Sequence, residues 1–414
     1  CRLDDRREAR RVVPLNTQHS TLNTQHSTLN TGLMEPVYFD HNATTPVDDR
    51  VFEAMAPYLR GRYGNASSRH ELGTAARRAV DVAREQVAAL VNTQPSQVIF
   101  VSGGTEANNL FIKGAAGYLK PTQVVVSAIE HPCVAKPAQD LTRQGWKLRK
   151  LAVSREGQVV MADVEQALKE PTGMVSVMLA NNETGVIQDV AAIAGHARAA
   201  KAWMHTDAVQ ALGKIPVDFA ALGVHAMTIS AHKIYGPKGA AALVMDKRLQ
   251  LKPIIHGGGH EQGLRSGTEN VPAIVGFGAA CTLAAGRMGE LAPRLETMRA
   301  RFERGLDGLG VVIFGERTRR ISNTTYFAFK GILGETLVIE LDKAGYAVAP
   351  GAACSSASPE PSATLLAMGV EPELALCAVR FSLGAGNTVP QIDEFLKALK
   401  AVVSRLKSMT AVTV

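Results

Sequence analysis

Five apolar runs in this chain end on polar, chemically capable side chains, and helical stretches lie between several of them. The runs are VIFVSGGTEANN (98–109), VVVSAIEH (124–131), MVSVMLANN (174–182), MHTDAVQ (204–210) and AMTISAHK (226–233). The last opens a strand–loop–strand pattern that continues to residue 245. Apolar periodicity predicts helices over 48–60, 71–92, 163–169 and 190–201. In the second, Ala75, Ala79, Val82, Ala83, Val87 and Leu90 fall on one side. Strands alternating with helices predict an α/β fold with a mostly parallel sheet covered on both faces. Such sheets bind ligands beyond the carboxyl ends of their strands. Gly104, Thr105, His131, Asn182, Asp207, Gln210, Ser230, His232 and Lys233 all fall at that edge.

The pattern changes after about residue 287. A long helix over 288–308, short strands at 311–314 and 324–329, a helix near 335–343 and a terminal helix near 390–406 predict a smaller α+β domain. We therefore expect a large domain over 51–280 and a small one from 281–414, with 34–50 returning to it. Residues 1–33 read differently. From residue 15 they repeat LNTQHST, with one apolar residue per unit, so no coiled-coil seam exists. No apolar stretch follows the early arginines, as a secretory signal requires. Asp4, Asp5 and Glu8 argue against a mitochondrial presequence. A disordered leader is expected here, with Met34 as the natural first residue.

Composition narrows the class. With 46% hydrophobic and 20% charged residues, disorder over the whole length is excluded. The uncharged stretch 273–286 is too short and Gly-rich to cross a bilayer. The chain has 37 glycines and only 5% aromatics, which suggests tight turns rather than an aromatic-packed core. Net charge is +7, of which the leader supplies +2, and no dense Lys/Arg run occurs. That excludes an obvious nucleic-acid footprint and leaves small anions or acidic proteins as partners. The five cysteines are widely spaced without a CxxC pair. This is neither a disulfide framework nor a zinc finger, and it fits a reducing, cytoplasmic compartment.

Lys233 follows an apolar strand and precedes a Gly-Pro-Lys-Gly turn, and Asp207 ends another strand. Alone, these read as a loop lysine and a helix cap. Together they suit pyridoxal phosphate, which needs a lysine for its Schiff base and an acid at its ring nitrogen. SGGTEANN adds a strand–glycine–helix turn whose free N–H groups favour phosphate. It is not a Walker loop, because GK[ST] is missing. His131 is either structural or a ring that stacks on the cofactor and moves protons. Cys354 lies in GAACSSASPEPS. It is either a core thiol or, as the serines and prolines suggest, a nucleophile on a mobile loop. Arg380, within AVRFSLG, pairs with an internal acid or with a substrate carboxylate. His256 and His260 flank GGG, which breaks the helix that would align them for a metal. Cys133 and Cys281 read as structural.

The ordered segments FDHNATTP, GNASSRHELG, SGGTEANN, EHPCV, ANNETGVIQ, HTDAVQALGK, SAHKIYGPKG, GGGHEQGLRSGTEN, GAACSSASPEPS and VRFSLG resemble the NifS/IscS-type cysteine desulfurases of the class V aminotransferase fold. The resemblance runs from about Val37 to Leu406, and ANNETG, HTDAVQ and RSGTEN look closer to the NifS-like branch.

It implies a fold-type-I homodimer with a mostly parallel seven-stranded sheet, and pyridoxal 5'-phosphate carried covalently on Lys233. Asp207 would meet the ring nitrogen, Gln210 the ring hydroxyl and His131 the ring face. Gly104, Thr105, Ser230, Ala231, His232 and the partner's Thr268 would hold the phosphate. Asn182, counted with the cofactor residues too, and Arg380 would bind the substrate carboxylate.

The implied activity converts L-cysteine to L-alanine, leaving a persulfide on Cys354. That sulfur would go to an iron–sulfur scaffold or a sulfur carrier, for cluster assembly, thio-cofactors or tRNA. Cys354 would meet a metal only through its persulfide during transfer. No membrane or direct nucleic-acid contact is implied. A selenocysteine lyase, a class V aminotransferase, or a non-catalytic protein keeping the fold are the alternatives.

Three departures stand out. Ala66 replaces the usual proline of GNPSS, SLGAGNT replaces an arginine-containing pattern, and no long scaffold-docking tail follows the last helix.

Overall fold

A computed structural model describes residues 36–351 and 360–411. The leader, with Cys1, and Cys354 with its immediate neighbours lie outside the described residues. Among the described residues thirteen strands occur, in the order β1 (Val37–Tyr38), β2 (Val98–Val101), β3 (Gln123–Ser127), β4 (Lys147–Leu151), β5 (Thr172–Ser176), β6 (Trp203–Asp207), β7 (Ala226–Ser230), β8 (Ala241–Met245), β9 (Val311–Ile313), β10 (Thr324–Phe329), β11 (Tyr346–Ala347), β12 (Ala349–Pro350) and β13 (Ala378–Ser382). Seven of them form one sheet in the order β2-β8-β7-β6-β5-β3-β4. Only β8 runs against its neighbours, so β2 to β7 all point their carboxyl ends to one edge.

Side-chain alternation explains why this sheet is covered on both sides. Val98, Phe100, Val125 and Ile229 enter one apolar core, whereas Ile99, Val101, Val124 and Val126 enter another. β4 escaped the sequence reading because it is a charged edge, KLRKL, with mostly exposed residues. Lysine on an edge strand discourages pairing with another chain. Helix Glu71–Leu90 also departs from expectation. It buries Ala76, Val80, Ala83 and Val87, and leaves Val82 51% exposed. The buried face is therefore rotated from the one inferred, which rested on a stripe that included Val82.

The helix expected over 288–308 is instead one continuous helix, Val271–Gly305. Its Ala/Gly-rich first half, around Ile274, Phe277 and Cys281, packs into the first core. A Cβ on Gly278 would sit 2.7 Å from Ala83 Cα, so the small residue permits close approach to helix Glu71–Leu90. Among the described residues this helix alone is long and apolar enough to cross a membrane, and half of its most apolar window is buried in the protein.

The second half of the same helix, with Leu295, Met298 and Phe302, enters another core against the sheet β12-β13-β10-β9. That core corrects the expectation of aromatic poverty. Phe39, Phe302, Phe327, Phe329, Phe381 and Phe395 meet there, with Phe302 and Phe381 ring centres 4.0 Å apart. The few aromatics are concentrated rather than absent. The N-terminal segment packs on this side. β1 pairs in parallel with β11, and Asp40 bridges Ser382. Beyond Asp40, the chain crosses to the large sheet, where Thr45 N–H donates to His232 O at 2.9 Å.

Candidate active site

The carboxyl ends of β2, β3, β5, β6 and β7 surround a cleft of about 310 Å³, open to solvent. Gly104, Thr105, His131, Asn182, Asp207, Gln210, His232 and Lys233 line it, so eight sequence candidates converge.

Helix Gly104–Ala116 starts at the cleft, and its cap residue, Gly103, offers no side chain to the first N–H groups. Those donors and the helix dipole stay available to an anion. At the end of β7, Ser230 Oγ is buried without a hydrogen-bond partner. A buried hydroxyl left unpaired costs about 1–3 kcal/mol, and a phosphate oxygen would satisfy it. His232 follows. Burial, then Lys233 and Lys238, hold its pKa down to about 4, so it is a neutral ring at pH 7. Ala231 departs from its expected role. Its side chain is fully buried and its N–H already donates to Ala240 O at 3.1 Å.

Asp207 ends β6, and both its oxygens accept hydrogen bonds. Asn108 Nδ2 donates to Oδ2 at 2.8 Å, and the Val209 N–H donates to Oδ1 at 3.0 Å. The carboxylate is thereby held in place to face a ring nitrogen. His131 caps helix Pro132–Asp140. Its Nδ1 accepts the Cys133 N–H at 3.2 Å, so the neutral ring carries its proton on Nε2. Burial lowers the His131 pKa, and Lys233 adds to this while Asp207 opposes it.

Lys233 sits in the short turn after β7. Its amine donates to Ala43 O at 2.7 Å and to Asn42 O. Burial, then Arg380, bring its pKa from 10.5 down to about 8. A near-neutral amine in a polar cleft is both a nucleophile and a proton carrier. The residues present thus fit pyridoxal phosphate at three points: an available amine, a fixed carboxylate and an unsatisfied anion corner.

Of the two partners left open by the sequence, Arg380 meets the internal acid. Its guanidinium pairs with Asp40 at 2.7 Å and donates to Asn182 O at 3.1 Å, yet its buried Nε has no partner. Asn182 lines the cleft. Thr268 is exposed and does not line the cleft of its own chain. His260 bonds Ser67 Oγ at 3.0 Å, and among the described residues no cluster of three His, Cys, Asp or Glu could hold a metal.

Five residues in or behind the cleft were given no site role by the sequence, and of these Cys133 lines the cleft itself. Its Sγ is 2.8 Å from His131 Nδ1, and burial pushes its thiol up to about 12. Its place two residues after His131 was the available signal. Glu130 is buried, which raises its carboxyl to about 8, and it accepts the Met178 N–H at 2.8 Å. Asn42, Asn108 and Lys214 carried no signal beyond their polarity.

Comparison with known proteins agrees with this arrangement. The family model for aminotransferase class-V matches residues 37–395. A protein of Colwellia psychrerythraea called cysteine desulfurase IscS is 42% identical over 383 residues, covering 91% of this chain and 94% of its own length. A solved NifS-like protein superposes with a TM-score of 0.85 at 37% identity, covering 89% of this chain and 99% of its own. SspA, solved in complex with cysteine, gives 0.75 at 30% identity, with 84% and 98% coverage. The matched span starts at the strand leading to Asp40 and ends in the last helix, so every described cleft residue lies inside it. The chain belongs to the aminotransferase class-V family, in the branch that holds the cysteine desulfurases.

Proposed function

We propose that this chain is an L-cysteine desulfurase that releases L-alanine and passes the sulfur, as a persulfide on Cys354, to an acceptor protein. The observation that carries the reading is the convergence of Lys233, Asp207 and His131 on one cleft, with Arg380 bonded to Asn182 at its wall. In this reading residues 51–280 form the cofactor-binding domain. Residues 34–50 and 281–414 form the small domain that carries Cys354.

Gly104, Thr105, Ser230 and His232 would hold the phosphate of pyridoxal phosphate, with Asp207 at the ring nitrogen, Gln210 at the ring hydroxyl and His131 against the ring. When bound, this cofactor supplies an electron sink for the carbon beside the substrate amine. Arg380 and Asn182 orient the substrate through its carboxylate. Lys233, half neutral near pH 8, takes the proton from that carbon and returns it. His131, with its proton on Nε2, donates and accepts at the cleft edge. Cys354 attacks the substrate sulfur, so the carbon–sulfur bond breaks as the sulfur–sulfur bond forms. The alanine carbon recovers a proton from Lys233 or His131.

A homodimer is part of the proposal. It is supported by Phe52, Leu59 and Tyr63, large apolar or aromatic residues left exposed on and just beyond one helix, and by the exposed Thr268. The sulfur acceptor would be an iron–sulfur scaffold or a sulfur carrier. The free thiols of Cys133, Cys281 and Cys377 support a cytoplasmic, reducing setting. The test is substitution. Lys233→Ala should abolish alanine formation. Cys354→Ala should keep the cofactor's visible absorbance and lose sulfide release. Full sulfide output from the Cys354→Ala protein would contradict the proposal.

A further inference from the structure

Lys214 is the one lysine whose amine lies directly behind Gln210. It lines a second, small cavity of about 20 Å³ with His41, Lys233, Tyr235 and Arg287. Its Nζ donates to Gln210 Oε1 at 2.8 Å and to Asn42 Oδ1 at 2.8 Å. Asn42 is then fully engaged. Its Oδ1 also accepts Asn323 Nδ2 at 3.1 Å, its Nδ2 donates to Thr324 Oγ1 at 2.8 Å and to Asn182 O at 3.2 Å, and its main-chain oxygen accepts Gln210 Nε2 at 2.9 Å and the Lys233 amine.

We propose that Lys214 is a positioning residue for the cofactor end of the cleft, acting through the Gln210 amide and the Asn42 main-chain oxygen. An amine that donates to both amide oxygens decides which way each amide turns. With Oε1 turned to Lys214, Gln210 must present Nε2 to the cleft it lines. One N–H of that group goes to Asn42 O, which leaves the other to donate to an oxygen anion bound in the cleft. Reversing the amide would set Nε2 against the Lys214 amine, donor against donor. The same amine anchors Asn42, whose main-chain oxygen holds Lys233. One buried side chain thus orients both the cleft's donor amide and the acceptor of its reactive lysine. Burial, together with Lys233 and Arg380, holds the Lys214 amine well below the ordinary lysine value.

The inference rests on the reading that this cleft takes pyridoxal phosphate. Its test is a double-mutant cycle on the full chain, with Lys214→Met, Gln210→Leu and both together. Circular dichroism checks folding, and visible absorbance and equilibrium dialysis read the bound cofactor. Lys214→Met is expected to shift the absorbance band in the same direction as Gln210→Leu. It should weaken cofactor binding about ten-fold, the loss expected from one misdirected hydrogen bond to a charged group. The double variant should be no worse than Gln210→Leu alone. Lys214→Gln, which keeps one N–H for Gln210, should restore much of the band position, and it serves as the folded variant should methionine not be accommodated. A folded Lys214→Met protein with unchanged band and affinity would overturn the proposal, as would losses that multiply independently, or a Lys214→Gln band shifted as far as that of Gln210→Leu. A wild-type protein that takes up no pyridoxal phosphate overturns the cofactor reading itself. Uptake by the wild type beside unaffected variants overturns only the role of Lys214.

Discussion

Arg380 and Asp40 form an ion pair of 2.7 Å beside Asn182, which lines the cleft, and the arginine still keeps a buried, unpartnered Nε. Asp40 arrives from the N-terminal segment and Arg380 from β13, so the pair ties the start of the chain to the small sheet. The acid and Asn182 O fix the guanidinium plane while leaving it donors to spend. That is the arrangement a carboxylate-binding arginine needs, since its fork is most selective when it cannot rotate.

Replacing Arg380 by lysine should therefore raise KM for L-cysteine at least ten-fold and change kcat less. A single amine keeps the charge but cannot serve Asp40, Asn182 O and a substrate carboxylate in one plane. Steady-state alanine formation measures this, and an unchanged KM would remove Arg380 from substrate binding.

Lys233 should capture added pyridoxal phosphate faster as pH rises, with a midpoint about 8 rather than the ordinary lysine value of 10.5. Only the neutral amine is a nucleophile, and burial favours it. Stopped-flow absorbance on cofactor-stripped protein across this range reads the midpoint directly. A midpoint at the ordinary value would mean that the cleft does not desolvate the amine.

Acid should destabilise the fold through His205. This ring is fully buried, stacked on Phe111 at 4.6 Å, and bonded to Ser176 at 2.8 Å and Thr228 at 3.0 Å. Burial lowers its pKa from 6.5 to about 3. Below pH 6.5 the unfolded chain takes a proton there that the folded chain refuses. Stability is thus present above that value and is lost as pH falls toward 3. The loss amounts to roughly 3 kcal/mol by pH 4. Urea denaturation at pH 7 and pH 4 should show it. His205→Asn, less stable at pH 7, should show a shallower acid slope.

Gly384→Ala should cost stability and activity together. A Cβ there would run into the His41 ring, and His41 lies between Asp40 and Asn42. Relieving the overlap means moving the segment that delivers both residues to the cleft. Overpacking of this kind typically costs about 1–3 kcal/mol. A thermal melt with full cofactor occupancy and unchanged Tm would contradict the account of this close approach.

Lys233, Asp207 and His131 were legible in the sequence because each ends or closely follows an apolar strand, and strand ends on one edge of a parallel sheet converge. Asn42, Lys214 and Asn108 were not. Asn42 reaches Thr324 and Lys214 across 282 and 172 residues of chain, and no local pattern announces such a contact. The β4 edge hid behind its own charges. The first half of helix Val271–Gly305 hid because a helix packed on several sides loses the one-sided periodicity that reveals amphipathic helices. Val82 misled for the opposite reason, as an apolar residue that the fold leaves outside.

The most direct test of the central claim is a mass measurement. The pure protein is incubated with L-cysteine without reductant, then alanine is quantified and the peptide containing Cys354 is weighed. Alanine together with one added sulfur on Cys354, a gain of about 32 Da on the thiol oxidation ladder, is the predicted result. Alanine with an unmodified Cys354 would move the nucleophile elsewhere, and neither product from a protein that holds pyridoxal phosphate would contradict desulfurase activity outright.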